Sequence, residues 1–387
     1  MKKKKIIILG STGSIGNYTF NILKKDKKNF SLELLSTNKN ITKLIKQAKE
    51  FNVKKLIITD YKKYIFAKKK YKNLNIKFYN SFIVLDKLFK AKEIFYTMIS
   101  IVGIDGLYPS LKMIKYSQNI AIVNKESLVC GWNLINKKLK KFKTNFIPVD
   151  SEHFSIFSLL NNKSNIEKIF ITASGGPFLK YSKSSLSRVK LKDALKHPNW
   201  KMGKKISIDS ATMMNKVFEV IEAKNIFNLD YKKISILIHP KSYFHAIVKF
   251  DNGVTKMAMH EPSMIIPIHN SIYQSNNQKI KSKPLNIGIL NNPEINVNIE
   301  QRFPLTKLLK ILPKKTSLYE TVLISINDYF VSKFINKKIN FKQLNEYIYR
   351  YSLNKNFMKF RNLEPKNIKE IYKIRDSVCL KLDALSI

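Results

Sequence analysis

The sequence predicts an α/β protein: a Rossmann-like doubly wound parallel sheet comes first, an α+β domain follows, and a helical bundle ends the chain. Three observations predict it. Short apolar runs alternate with helical segments over residues 1–149, the pattern of parallel strands joined by crossover helices. At Asp150 the character changes to glycine-rich loops, a marked helix and further strand runs. Beyond residue 300, apolar residues fall at helical spacing alone.

Residues 5–10 (Lys-Ile-Ile-Ile-Leu-Gly) read as a buried strand, followed by a glycine-rich turn and a helix over 17–25. Further strands are expected at 31–35, 55–59, 94–100, 119–123 and 145–149, completing a domain of residues 1–149. Residues 150–274 form the second domain, with strands at 168–172, 234–238 and 245–250. Residues 275–300, rich in Asn, Lys and Pro, read as a linker. Residues 301–387 carry helices at 317–335, 341–353 and 367–385.

At 387 residues and 44% hydrophobic content, the chain can bury a substantial core. No apolar run approaches the roughly 18 residues of a membrane span, and the apolar start is too short for a signal peptide. A cytoplasmic protein with no membrane partner is expected. Cys130 and Cys379 lack metal-ligand spacing and read as reduced, buried thiols. The excess of 71 basic over 27 acidic residues gives a net charge of +44, which raises nucleic-acid binding as a function class. Only five of the basic residues are arginine, and lysine, asparagine and isoleucine are spread through all segments. That pattern is compositional drift, and no specific nucleic-acid partner is expected.

Gly10-Ser-Thr-Gly13-Ser-Ile-Gly16 stands between a strand and a helix, where backbone N–H groups can cradle a pyrophosphate. A tight turn needing glycine is the alternative. After the second strand comes Asn38-Lys39-Asn40, without the acid that would hold a ribose 2′-hydroxyl. Lys39 suits a 2′-phosphate, hence NADPH, or is an ordinary loop lysine. Asn124-Lys125-Glu126 ends another parallel strand and either grips the cofactor or caps a helix.

Asp150 and Glu152 are expected at a strand end, sent to one face by period-2 alternation, with His153 turned away in a structural role. Two such carboxylates repel unless a cation joins them, and an all-oxygen set suits Mg²⁺ or Mn²⁺. A solvated strand end is the alternative. Asp209 to Ala223 reads as one capped helix, with Asn215, Lys216 and Glu219 on one side. Glu219 can complete a three-carboxylate site while Asn215 and Lys216 meet an anionic substrate; a surface ion pair is the other reading. Ser174-Gly-Gly-Pro177 has the donors of a phosphate nest. His197-Pro-Asn-Trp200-Lys-Met202-Gly203 has the make-up of a lid, or of an aromatic loop packed on the core.

Taken together, these motifs resemble the 1-deoxy-D-xylulose 5-phosphate reductoisomerase family over nearly the whole chain. The resemblance rests on Gly10 to Gly16, Asn124 to Leu128, Val149 to His153, Ser174 to Phe178, His197 to Gly203, Asp209 to Glu219 and Ile238-His-Pro240. It implies an NADPH enzyme that isomerises 1-deoxy-D-xylulose 5-phosphate by retro-aldol cleavage and re-addition, then reduces the aldehyde to 2-C-methyl-D-erythritol 4-phosphate. It implies one divalent ion on Asp150, Glu152 and Glu219. Ser151, Ser174, His197, Ser210, Asn215 and Lys216 would face substrate, under a lid of Trp200 and Met202. Thr12, Gly13, Ser14, Ile15, Asn38, Lys39, Asn40, Asn124, Lys125, Glu126 and Gly203 would hold NADPH. A homodimer is also implied.

The chain departs from the family pattern in three places. Asn38 stands where glycine is usual, and asparagine tolerates positive φ. His260, Ser263 and Ile265 replace Gly, Asp and Arg in a region of dimer contacts, and Ser325-Ile-Asn-Asp328 replaces Ala-Ala-Asn-Glu. Two other readings, a dehydrogenase without isomerase chemistry and an RNA-binding relic, leave the carboxylates and phosphate-binding set without a purpose.

Overall fold

A computed structural model describes residues 2–160, 165–182, 184–274, 278–297 and 300–385. The chain opens with β1 (Lys4–Leu9), α1 (Ser14–Lys24), β2 (Phe30–Thr37), α2 (Ile41–Phe51), β3 (Lys55–Ile58), α3 (Tyr61–Lys70) and β4 (Lys77–Tyr79). It continues through α4 (Leu85–Leu88), β5 (Ile94–Ile99), α5 (Leu107–Met113), β6 (Ser117–Ile122), α6 (Lys125–Phe142) and β7 (Asn145–Phe146). The seven strands pair in parallel in the order β4-β3-β2-β1-β5-β6-β7. Strand order reverses at β1, which lies between β2 and β5, and ligands of such sheets bind beyond the carboxyl ends at that reversal. The glycine turn leaves β1 there.

Then follow α7 (Ser151–Leu159), β8 (Ile166–Ala173), α8 (Leu191–Ala194), α9 (Lys204–Thr212), α10 (Met214–Phe227), β9 (Ile234–Ile238), β10 (Phe244–Phe250) and β11 (Thr255–Met259). These four strands make a second sheet in the order β11-β10-β8-β9, parallel only between β8 and β9. The remaining helices are α11 (Ile265–Tyr273), α12 (Ile287–Asn291), α13 (Leu318–Ile335), α14 (Phe341–Ser352), α15 (Lys355–Met358) and α16 (Ile368–Asp383). No helix of the described residues is long and apolar enough to cross a membrane.

The chain divides into two compact units. The first comprises Met1–Leu128, Asn133–Asp150 and Met264–Ile280; the second comprises Val129–Trp132, Ser151–Ser263 and Lys281–Ile387. The first unit takes back α11, which the linear reading left with residues 150–274. Ile268 and Ile272 join its core, the Ser271 hydroxyl meets the Tyr96 hydroxyl at 2.7 Å, and Tyr273 donates to Asp26 at 2.9 Å. Between residues 275 and 300 the described part contains α12 and a bridge from Ile238 to Asn296. Residues 275–277 and 298–299 of the expected linker lie outside the described residues.

Several sequence expectations need correction. No strand reaches Val149: β7 ends at Phe146, and Asp150-Ser151-Glu152 leads into α7. An acid in a helix's first turn meets its positive dipole end, which explains why Glu152 starts a helix rather than ending a strand. The single helix expected over Asp209–Ala223 is two, broken at Met213, whose φ is 70°. Asp209 is therefore buried in the last turns of α9 and caps nothing. Cys130 is buried, whereas Cys379 is only partly so. The short edge strand β4 and the strand β11 were not expected.

Candidate active site

In the first unit the turn after β1 is shaped by its glycines. Gly10 has φ 84°, and a Cβ there would lie 2.6 Å from the Ser100 carbonyl oxygen. A Cβ on Gly16 would lie 2.3 Å from the Gly10 oxygen, so α1 can approach the turn only as glycine. Gly13 is the N-cap of α1 without a side-chain bond, and Ser14 and Ile15 open the helix, leaving first-turn N–H groups to a ligand. Thr12 and Thr37 pair through their hydroxyls at 2.6 Å.

After β2, Asn38 donates to the Thr59 hydroxyl at 2.9 Å. Asn38 is not among the positive-φ residues, so its tolerance of that conformation is not drawn upon. Asn40 caps α2 by accepting from Lys43 N at 3.1 Å, and Lys39 is exposed between them. Asn124 caps α6, accepting from Ser127 N at 2.6 Å, and its amide donates to the Gly103 carbonyl at 2.7 Å. Glu126 is buried in the first turn, and Lys125 forms an ion pair with Asp150.

In the second unit, Glu152 of α7 and Lys216 and Glu219 of α10 are brought together. Lys216, only 4% exposed, places Nζ 2.6 Å from Glu152 Oε1 and 2.6 Å from the Thr172 carbonyl, and it also pairs with Glu219. The Glu152 and Glu219 carboxylate oxygens lie within 4.8 Å of one another. Ser151 donates to Glu152 Oε2 at 2.6 Å, and Asn215 donates to Glu219. His153 is buried and holds α7 to α10 through the Glu219 backbone oxygen at 2.9 Å.

Burial alone would raise the Glu152 carboxyl, but the Lys216 ammonium holds it well below the carboxylate range. Burial likewise disfavours the Lys216 cation, and the two glutamates more than offset it, keeping it charged. Two carboxylates against one ammonium leave this buried cluster with one net negative charge. Asp150, joined to Glu152 through Ser151, is one of the residues at which the chain passes between units.

Ser174 follows β8 at a turn where Gly175 and Gly176 have φ of 83° and 66°. A Cβ on Gly176 would lie 2.9 Å from the Ser210 carbonyl oxygen, so this glycine lets the turn reach α9. The tautomer of His197 follows from its partners. Nδ1 accepts from the backbone N–H groups of Asn199 and Trp200 at 3.2 and 3.0 Å, so the ring proton sits on Nε2, which donates to Ser174 Oγ at 3.0 Å. Burial, with Lys216 adding to it, lowers the His197 pKa to about 4, keeping the ring neutral. Ser174 Oγ also accepts from Gly176 N at 3.1 Å. With two donors on its oxygen, its own O–H is left to donate to an anion.

Within 197–203, Trp200 and Met202 are partly buried and Gly203 is the N-cap of α9. Asn199, which the sequence reading passed over, anchors the segment by donating to the Pro240 carbonyl at 2.6 Å and the Ser242 hydroxyl at 2.7 Å. Also missed was His245, whose ring meets Trp200 edge-on at 6.1 Å. No local motif marks it: it lies in an apolar strand.

A nucleotide-type turn on a doubly wound sheet, with a buried carboxylate–lysine cluster and a hydrogen-bonded serine–histidine pair on a second unit, defines a dinucleotide-fold oxidoreductase. Models of the 1-deoxy-D-xylulose 5-phosphate reductoisomerase family match residues 6–131, and models of its C-terminal domains match 146–227 and 259–378. A Pelagibacter ubique protein of that name is 54% identical over 387 residues, covering 99% of this chain and all of the relative. A Clostridium tetani protein of the same name is 39% identical over 352 residues, covering 88% of this chain and 90% of its own. The chain belongs to the 1-deoxy-D-xylulose 5-phosphate reductoisomerase family.

Solved structures agree. The Zymomonas mobilis reductoisomerase in complex with NADPH superposes with a TM-score of 0.87 at 28% identity, covering 99% of each chain. A DOX-P reductoisomerase bound to NADPH, fosmidomycin and magnesium gives 0.90 at 28% identity, covering 98% of each chain.

Proposed function

We infer that this protein converts 1-deoxy-D-xylulose 5-phosphate to 2-C-methyl-D-erythritol 4-phosphate with NADPH and one divalent metal ion, a step of the non-mevalonate isoprenoid precursor pathway. The observation that carries this reading is the end-to-end similarity to reductoisomerases, including ones solved with NADPH and magnesium.

The residues fit the groups the reaction needs. Glu152 and Glu219 offer oxygen donors close enough for one small dication, and the negative charge left over on their cluster favours one. Asp150, Glu152 and Glu219 are the ligands we assign, with Mg²⁺ or Mn²⁺ as the ion. Thr12, Gly13, Ser14 and Ile15 would hold the pyrophosphate, Asn38, Lys39 and Asn40 the 2′-phosphate end, and Asn124, Lys125, Glu126 and Gly203 the nicotinamide half. When bound, the dication supplies Lewis-acid polarisation of substrate oxygens and NADPH supplies the hydride.

The chain's own groups do the rest. Lys216, held charged, stabilises negative charge on a substrate oxygen beside Glu152. Ser151 and Asn215 fix the two carboxylates. Ser174 donates its spare O–H to the phosphate, with Ser210 and Asn215 as further donors, and neutral His197 keeps Ser174 in that orientation. Trp200 and Met202 close over the substrate and exclude water. In this assignment residues 1–149 bind NADPH, 150–274 bind metal and substrate, and 301–387 support them. We further assign a cytoplasmic location and a homodimer, the latter supported by the exposed apolar residues Val254 and Met257 at β11.

Purified protein with Mg²⁺ or Mn²⁺ should oxidise NADPH only when 1-deoxy-D-xylulose 5-phosphate is added, read at the cofactor's absorbance. Folded protein showing no substrate-dependent loss would refute the assignment. Glu219→Gln should leave NADPH binding intact while weakening metal-supported turnover; unchanged metal dependence would remove Glu219 from the ligand set.

A further inference from the structure

Beside the Glu152–Lys216–Glu219 cluster, the second unit stacks two imidazoles that the reaction as assigned leaves unused. His245 lies on β10 and His260 just past the end of β11; their ring centroids are 3.8 Å apart and their planes differ by 21°. β10 and β11 pair antiparallel, with Phe244 opposite Met259, so neighbouring strand ends carry the stack. His245 Nε2 lies 3.1 Å from the His260 carbonyl oxygen, which can only accept, so Nε2 carries the ring proton. By the same reasoning His260 Nδ1 donates to the Glu261 carbonyl at 2.7 Å.

Each ring is thus tied to backbone through one atom and pressed against the other, and Phe154 of α7 packs on His260 at 6.2 Å. Burial, with His260 adding to it, lowers the His245 pKa to about 3, and burial also lowers that of His260, so like charges do not force the stack apart. The result is a rigid plate. Trp200 meets it at 68° to the His245 ring, next to the residue, Asn199, that pins the segment to the turn before β10.

We propose that His260 is a positioning residue: by holding the His245 ring in one plane against Trp200, it sets where the indole closes over the substrate. His260 touches neither reacting atoms nor cofactor in this role. The inference rests on the assignment of 197–203 as the closing segment.

The test uses the full chain with Trp132→Phe, which leaves Trp200 as the sole tryptophan. His260→Ser removes the plate's second ring and His260→Phe restores one. Removing the ring should raise KM for 1-deoxy-D-xylulose 5-phosphate roughly threefold to tenfold, the worth of one aromatic pair, with kcat changed by less than about twofold. Acrylamide quenching of Trp200 should rise in His260→Ser, and His260→Phe should return both quantities towards the parent. Unchanged KM and quenching in folded His260→Ser would overturn the proposal, as would a His260→Phe protein as impaired as His260→Ser. If His260→Ser does not fold, His260→Leu fills the space without a plane and gives the same comparison with His260→Phe. Should the parent show no turnover, the assigned reaction fails, while the quenching comparison still decides the stack.

Discussion

Lys216→Met tests the central cluster by removing its cation while keeping the length of the side chain. The ammonium lies 2.6 Å from Glu152, pairs with Glu219 and donates to the Thr172 carbonyl, all at 4% exposure. Without it, two carboxylates whose oxygens lie within 4.8 Å share a buried space. At an effective dielectric constant of about 20 their repulsion is about 3.5 kcal/mol at that separation. Breaking a buried ion pair by losing one partner costs about 3–5 kcal/mol by comparison with other proteins, so the two routes agree.

Stability should therefore fall by about 3–5 kcal/mol near pH 7.5, seen as a lower urea midpoint by circular dichroism. The pH dependence has a definite sign. In the parent, Glu152 is depressed, so its contribution is present above its unfolded value near 4.5 and is lost as pH falls through the lower folded value. In the variant the carboxyls are raised, the native state takes up protons first, and acidification towards pH 5 should narrow the gap. Mg²⁺ should narrow it too, by about 1.4 kcal/mol for each tenfold by which the variant, freed of the ammonium, binds the ion more tightly than the parent. A loss under about 1 kcal/mol, or one indifferent to both acid and Mg²⁺, would refute the electrostatic account of this cluster.

Other perturbations probe separate parts. Gly16→Ala places a Cβ 2.3 Å from the Gly10 oxygen, so a fluorescence titration should show NADPH affinity reduced at least about tenfold. Ser174→Ala removes the Ser174 O–H that donates to the substrate anion and should raise KM about tenfold or more, while His197, with a pKa of about 4, should add no inflection near pH 6.5 to the rate profile. Glu320 is buried in the capping box of α13, and burial pushes its carboxyl up to about 7. Its contribution is fully present below about 4.5 and lost as pH rises through 7, about 3 kcal/mol in all, so Glu320→Gln should flatten the stability profile across that window.

The first sheet was legible because its cause is local. Apolar runs such as Ile6-Ile-Ile-Leu9 are buried on both faces, and the glycines at 10 and 16 are demanded by backbone approaches that a spacing rule captures. The strand β11 was missed although Asn252-Gly253, with Gly253 at φ 83°, marks the hairpin that precedes it. Its alternation, Thr-Lys-Met-Ala-Met, is weak because both of its faces are partly exposed. The return of α11 to the first unit had no local mark, since it depends on Ser271 and Tyr273 meeting Tyr96 and Asp26.

The carboxylate pair shows how a grouping by residue type can rest on a wrong local geometry. Alternation along a strand was to bring Asp150 and Glu152 to one face, yet the chain there enters α7, with Glu152 in its first turn. What draws Glu152 to Glu219 is Lys216, whose three donors go to both carboxylates and to Thr172, a partner from β8 that no spacing in the sequence could supply. The same holds for Met213: the left-handed break that separates α9 from α10 is not written in Met-Met-Asn. Close by, the Gly176 backbone packs against Ser210 in the last turn of α9, a long-range approach that no local spacing marks. Residue types identified the chemistry, and tertiary packing determined which of their side chains meet.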